Sequence, residues 1–151
     1  QIGAFAIGLS CNHAPQLAKH CDINIAVVAG PEVVSGSTRM KAGTATKMVL
    51  NMLSTGAMIR LGKTFGNLMV DLRASNIELN DRARRIVRAV TNLSPDDSER
   101  LLNNCGGEVK TAIVSHDRGV SADEARRLLH DAHGHLRKAL SGQTAKNGTA
   151  H

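Results

Sequence analysis

The chain has 151 residues, 42% of them hydrophobic and 21% charged, with a formal net charge of +6. That is enough apolar material for one ordinary domain or two small ones, and it argues against wholesale disorder. Two Phe with no Trp or Tyr argue against carbohydrate or base recognition by stacked rings. The lysines and arginines are spread out, with no run of five or six like charges, so the basic excess indicates no nucleic-acid partner by itself.

Cys11, Cys21 and Cys105 are odd in number and form no CxxC pair. They predict neither a disulfide framework nor a structural zinc site, but reduced thiols in a cytoplasmic protein. No secretory signal is present, and the apolar run from Met48 to Ile59 is interrupted by Asn51, Ser54, Thr55 and Gly56, so no membrane span is expected. His130, His133 and His135 lie close together without a surrounding ligand pattern. They read as a solvated helix end, and no metal site is expected.

Phe5 to Ser10 and Ile23 to Val28 are short apolar runs, predicted as buried strands of a parallel sheet, apolar on both faces. Ala14 to His20 between them allows about two helical turns or a crossover loop. Two short strands make no stable parallel sheet, and the chain opens on Gln1, almost directly into the first of them. The earlier strands of the domain are therefore expected to be absent from this sequence.

The segment Gly30 to Thr44, GPEVVSGSTRMKAGT, is rich in Gly, Ser and Thr. It precedes a helix predicted over Met40 to Leu61 with Gly62 as its stop. Apolar residues cover most of that helix, which predicts burial against the sheet and another subunit. Ser37 and Thr38 have two readings: they hold an anion with the free N–H groups of the helix start, or one of them merely caps it. Lys41, one turn in, either pairs with a phosphate or reaches solvent. Glu32 lies beyond the carboxyl end of a strand, where open α/β sheets bind ligands. It either orients a sugar hydroxyl or moves a proton, or is a solvated loop acid.

Asn67 to Leu72 is a brief apolar segment. Asn80 is expected to cap a helix reaching about Thr91, with Ala83, Ile86, Val87 and Val90 inward. Arg82, Arg84, Arg85 and Arg88 lack a helix-turn-helix context and read as a solvated face. Ser94 to Ile113 and Ser121 to Leu140 repeat at an offset of 27 residues, matching Ser94/Ser121, Leu101/Leu128, Leu102/Leu129, Gly107/Gly134 and Ala112/Ala139 among others. Each unit reads as a Ser cap, acids, a Leu-Leu pair, a Gly break and a second helix, and the two are expected to pack on each other. Gln143 to His151 reads as a frayed end.

The stretch GPEVVSGSTRMKAGTATKMVLNMLS closely resembles the signature of bacterial N-acetylmuramic acid 6-phosphate etherases, shared with the vertebrate glucokinase regulatory protein. GAFAIGLSCN, GKTFGNLMVDLRASNIELNDRARRIV and the Leu-Leu…Gly tail agree with the etherase. The resemblance implies the C-terminal half of the family protein. It comprises part of a doubly wound, phosphosugar-binding sugar isomerase (SIS) sheet over 1–79, then a small all-α domain like a ubiquitin-associated (UBA) fold over 80–142, and a flexible tail over 143–151. It implies a carbon–oxygen lyase without metal or organic cofactor, acting on N-acetylmuramic acid 6-phosphate to release D-lactate in peptidoglycan recycling, as a cytoplasmic homodimer. The acid/base glutamates are expected in the other half, so that this chain holds no catalytic pair and is inactive alone. Glu32, Ser37, Thr38 and Lys41 carry over as substrate-pocket residues. The alternative is a non-catalytic phosphosugar-binding regulator of the glucokinase-regulatory type.

Overall fold

The computed structural model describes residues 2–73 and 76–142. It is mixed α/β, mostly helical, with a small parallel sheet. Its contacts divide the chain between Gly56 and Ala57 into two compact units, taken here in turn. The expected frayed end at 143–151 lies outside the described residues.

In the first unit, β1 (Ile7–Ser10) pairs parallel with β2 (Ile23–Ala26), in the register Ile7↔Ile23 to Ser10↔Ala26. Val27 N–H donates to the Ser10 carbonyl at 2.8 Å beyond the last pair. A 3-10 turn over Gln16–His20 makes the crossover. It packs closely on β1 at Gly8, where a Cβ would stand 2.7 Å from Cys21 Sγ and 3.2 Å from Leu17. The expected pairing and crossover are present, but the expected burial is not. Ile7 and Ile23 are half exposed, because these two strands have no second layer over both faces.

Within this chain the helix α1 (Lys41–Arg60) is largely uncovered. Of its apolar residues only Val49 is buried, while Met48 is 57% and Met52 62% exposed. An all-round apolar helix needs covering on all sides, and this chain supplies it on one. The helix ends as its glycine predicts. Gly62, at φ +70, donates to the Ile59 carbonyl at 3.0 Å and Lys63 N–H donates to Met58 at 3.0 Å, the paired bonds of a Schellman stop.

In the second unit, β3 (Thr64–Phe65) and β4 (Leu68–Met69) form a hairpin, Thr64↔Met69 and Phe65↔Leu68, which delivers Val70 into the core fully buried. Arg137 sits 5.5 Å above the Phe65 ring, a cation–π contact. The helix α2 spans Ile77–Thr91 and is capped by Asn76, whose side chain accepts from Leu79 N–H at 2.8 Å. Asn80 is therefore not the cap. It lies one turn inside, its amide donating to the Asn76 carbonyl at 3.0 Å. Ala83, Ile86 and Val87 are buried as the periodicity predicts.

The repeat is a repeat in backbone as well as in letters. Ser94 caps α3 (Pro95–Asn104) through Asp97 N–H, and Ser121 caps α5 (Ala122–Asp131) through Glu124 N–H. Gly107 donates to Leu102 at 2.9 Å and Gly134 to Leu129 at 2.8 Å. Then α4 (Val109–Arg118) starts at Glu108 and α6 (Leu136–Ser141) at His135, with nearly the same dihedrals. Ser98 and Ala125, Leu102 and Leu129, Cys105 and Ala132, Val109 and Leu136 are buried pairs 27 apart. They close one shared core with Val70 and the inner face of α2, so neither half of the repeat buries its apolar residues alone.

Candidate functional site

The signature segment joins β2 to α1, and its geometry turns on Glu32. One carboxylate oxygen accepts from Lys41 N–H at 3.0 Å and the other from Ala42 N–H at 3.0 Å. These are two of the orphan donors at the start of α1. The third, Gly43 N–H, reaches the Thr38 carbonyl at 3.0 Å. The bonds from Ala42 and Lys41, with the positive charge of Lys41, hold the Glu32 carboxyl below the ordinary glutamate range against slight desolvation. α1 has no acid in its own first turn; Glu32 supplies the negative charge that the helix dipole favours there.

Three sequence-predicted residues frame this closure. Ser37 is half-buried in a turn in which its N–H donates to the Val34 carbonyl at 3.1 Å, while Thr38 and Lys41 are exposed. Neither the Ser37 nor the Thr38 hydroxyl caps the helix among the described residues; Glu32 takes that place. Glu32 itself is a partly exposed loop acid whose two carboxylate oxygens are both engaged by backbone amides. Beside the same turn, Cys11, just past β1, directs its thiol at the Ala42 carbonyl (3.7 Å) and the Thr46 hydroxyl (3.8 Å).

A second polar cluster, in the helical unit, was not singled out from sequence. Asp71 accepts from Lys110 Nζ at 2.6 Å and Lys63 Nζ at 3.0 Å, and Lys110 also donates to the Gly134 carbonyl at 3.1 Å. Glu108 accepts from Arg126 and from Thr111, both at 2.9 Å. The cluster borders a concavity of about 370 Å³, but its charges are paired with one another, so it reads as a joint between hairpin, α4 and the second repeat. Desolvation alone would raise the Asp71 pKa. The hydrogen bonds and charges of Lys110 and Lys63 outweigh it and hold the carboxyl below its ordinary value. A depressed folded-state pKa contributes stability that is present above the unfolded-state value, near 3.9, and is lost as pH falls through the folded-state value. Asp71→Asn is thus expected to cost about 1–2 kcal/mol at pH 7, the figure for a charged hydrogen-bonded pair reduced for partial exposure. In chemical denaturation the difference from the parent should shrink towards zero as pH falls through the lowered folded-state value; a difference that stays constant with pH would disprove the assignment.

The remaining candidates behave as surface or core. Arg84 pairs with Glu99 and Arg85 with Asp81, each at 3.1 Å, which leaves no uniformly basic face. The three cysteines are free, and burial pushes the Cys105 thiol up. Among the described residues no group of three metal-ligating side chains occurs, and no helix is long and apolar enough to cross a membrane.

No protein-family model matches the chain. Curated proteins do. It is 59% identical over 140 residues to the N-acetylmuramic acid 6-phosphate etherase of Rhodopirellula baltica, covering 93% of this chain and 46% of that protein. It is 56% identical over 138 residues to the protein of the same name from Rubrobacter xylanophilus, covering 91% and 45%. With that of Parasynechococcus marenigrum it shares 48% identity over 145 residues, covering 96% and 46%. The chain thus spans a little under half the length of these relatives, and the part it matches is their C-terminal part.

Proposed function

We propose that the chain belongs with the N-acetylmuramic acid 6-phosphate etherases, as one portion of such an enzyme that supplies one wall of its phosphosugar pocket. The observation that carries the reading is 59% identity over 93% of the chain, signature segment included. Matches at 47–59% identity bear the etherase name, so the regulator reading is not favoured.

The reaction is elimination of D-lactate across C2–C3 of N-acetylmuramic acid 6-phosphate, then addition of water to give N-acetylglucosamine 6-phosphate. A base must take the C2 proton and an acid must protonate the departing ether oxygen. Glu32, the one acid in the signature segment, has both oxygens bound to backbone amides and is held ionised, which suits it to neither step as it stands. The acid/base pair belongs, as the resemblance to the etherases implies, to the part of the enzyme outside this chain. Ser37, Thr38 and Lys41, with Glu32 beside them, face the phosphosugar. The parallel pair β1–β2 is a section of a doubly wound SIS-type sheet whose other strands belong to the rest of the relatives' length. The helical repeat forms the UBA-like domain. The exposed apolar residues of α1 suit burial against those strands and a second subunit, in a cytoplasmic homodimer.

The test is lactate release from N-acetylmuramic acid 6-phosphate, by this chain alone and mixed with the N-terminal part of the Rhodopirellula relative. Release by the mixture only is the expected result. Release by this chain alone would overturn the placement of the acid/base pair. A mixture that assembles yet neither releases lactate nor binds the phosphosugar would overturn the function.

A further inference from the structure

We propose that Glu32 is a positioning residue: by closing the segment 32–42 on the first two amides of α1, its carboxylate holds Ser37, Thr38 and Lys41 in the arrangement that receives the phosphosugar. The inference rests on the functional reading above and assigns Glu32 a part in it other than contact with the sugar.

Three features of the segment lead there. First, the closure spans nine residues of sequence and is made by one side chain, with both carboxylate oxygens used. Second, little else ties the segment down. Val33 and Val34 are largely exposed; the one backbone bond wholly inside the loop is Ser37 N–H to Val34, while Gly43 N–H to Thr38, Thr44 N–H to Met40 and the Cys11 thiol on the Ala42 carbonyl hold its helix end. Without the carboxylate, the loop would hang from its two ends and its side chains would sample many placements, an entropy cost to be met on binding. Third, the start of α1 has no internal substitute. Its first residue is Lys41, a cation at the pole where the dipole disfavours one, and no acid follows in the first turn. Among charged groups, Lys41 is the one that acts on Glu32.

The arrangement predicts a spectroscopic signature independent of catalysis. In the 151-residue chain, the amide resonances of Lys41 and Ala42 should lie downfield, as expected for donors to a carboxylate. They should move together on acidification, with a midpoint below the ordinary glutamate value. In Glu32→Gln the common titration should vanish, and exchange of these two amides with solvent should rise at least tenfold, while amides of the helical repeat are unchanged. Glu32→Asp, too short to reach both donors, should retain titration at no more than one of them. Lys41 and Ala42 amides that do not titrate in the parent, or exchange equally in parent and Glu32→Gln, overturn the proposal. In the reconstituted pair, Glu32→Gln should raise KM at least fivefold with a smaller change in kcat; a loss of kcat alone also overturns it. If the parent pair releases no lactate, the functional reading has failed, while the amide signature still decides the closure.

Discussion

Leu102→Ala is expected to cost the helical unit about 3–5 kcal/mol, towards the upper end for a leucine removed from a core. Leu102 is 1% exposed and packs in the shared core of the repeat. The same core cluster holds Cys105, which ends α3, and Val109 and Ile113 of α4, each fully buried or nearly so. Such surroundings collapse little around a void, and the cavity contribution is then large. A small domain is stable by only about 5–15 kcal/mol, so much of the margin would go. The adjoining Leu101 is only partly buried, and Leu101→Ala should cost less than half as much. Urea denaturation followed by circular dichroism reads both, the midpoint moving and the slope staying fixed. Equal losses at 101 and 102 would mean that the inward and outward members of the Leu-Leu pair have been misassigned.

That pair also shows what kind of information the sequence carried openly. The offset of 27 residues exposes equivalent positions, and equivalent positions share burial. A Ser cap followed three residues on by Asp97 or Glu124 is a local code, satisfied by groups within one turn. Gly62 as the stop of α1 is local in the same sense. The parallel pairing of β1 and β2 was legible because two β-branched and apolar runs flank a short crossover. Asn76 was missed as the cap of α2 because Asn80, a residue of the same type one turn later, stands nearer the first fully buried position, Ala83, while Leu79 before it is only half-buried. Glu78 in that first turn was the available signal.

The candidate site was legible in composition and not in connectivity. Ser37, Thr38, Lys41 and Glu32 were all visible as a polar cluster before a helix. That Glu32 would be the cap, nine residues ahead of the amides it holds, was not, since capping rules look one turn back. The Asp71–Lys110–Gly134 joint spans 63 residues of chain and depends on packing among the hairpin, α4 and the second repeat. No short-range pattern announces it. The exposure of α1 is a different case. Its sequence calls for burial on several sides, yet within the described residues Val49 is its one buried apolar residue. Met48 and Met52 are therefore exposed here although the apolar pattern of the helix predicts cover over them.

The second large effect is expected at Gly62. This residue combines two demands that are separable elsewhere in the same unit. Its φ of +70 disfavours any side chain, and a Cβ built there stands 2.9 Å from the His135 ring and 3.0 Å from the His135 Cα. The ring can rotate, but the backbone atom, at the start of α6, cannot move without shifting that helix. Gly119 offers the comparison: φ +63, with nothing near its Cβ position. Gly119→Ala should therefore register the conformational cost alone, about 1 kcal/mol. Gly62→Ala adds overpacking to it and should cost about 2–4 kcal/mol in total. Adding His135→Ala to Gly62→Ala removes the ring and leaves the backbone contact, so it should restore part of the loss and no more. Full restoration would show that the histidine ring alone enforces the glycine. Costs at 62 and 119 that agree within error would show that the close approach of α6 to the end of α1 contributes nothing, and that the stop of α1 is set by backbone conformation alone.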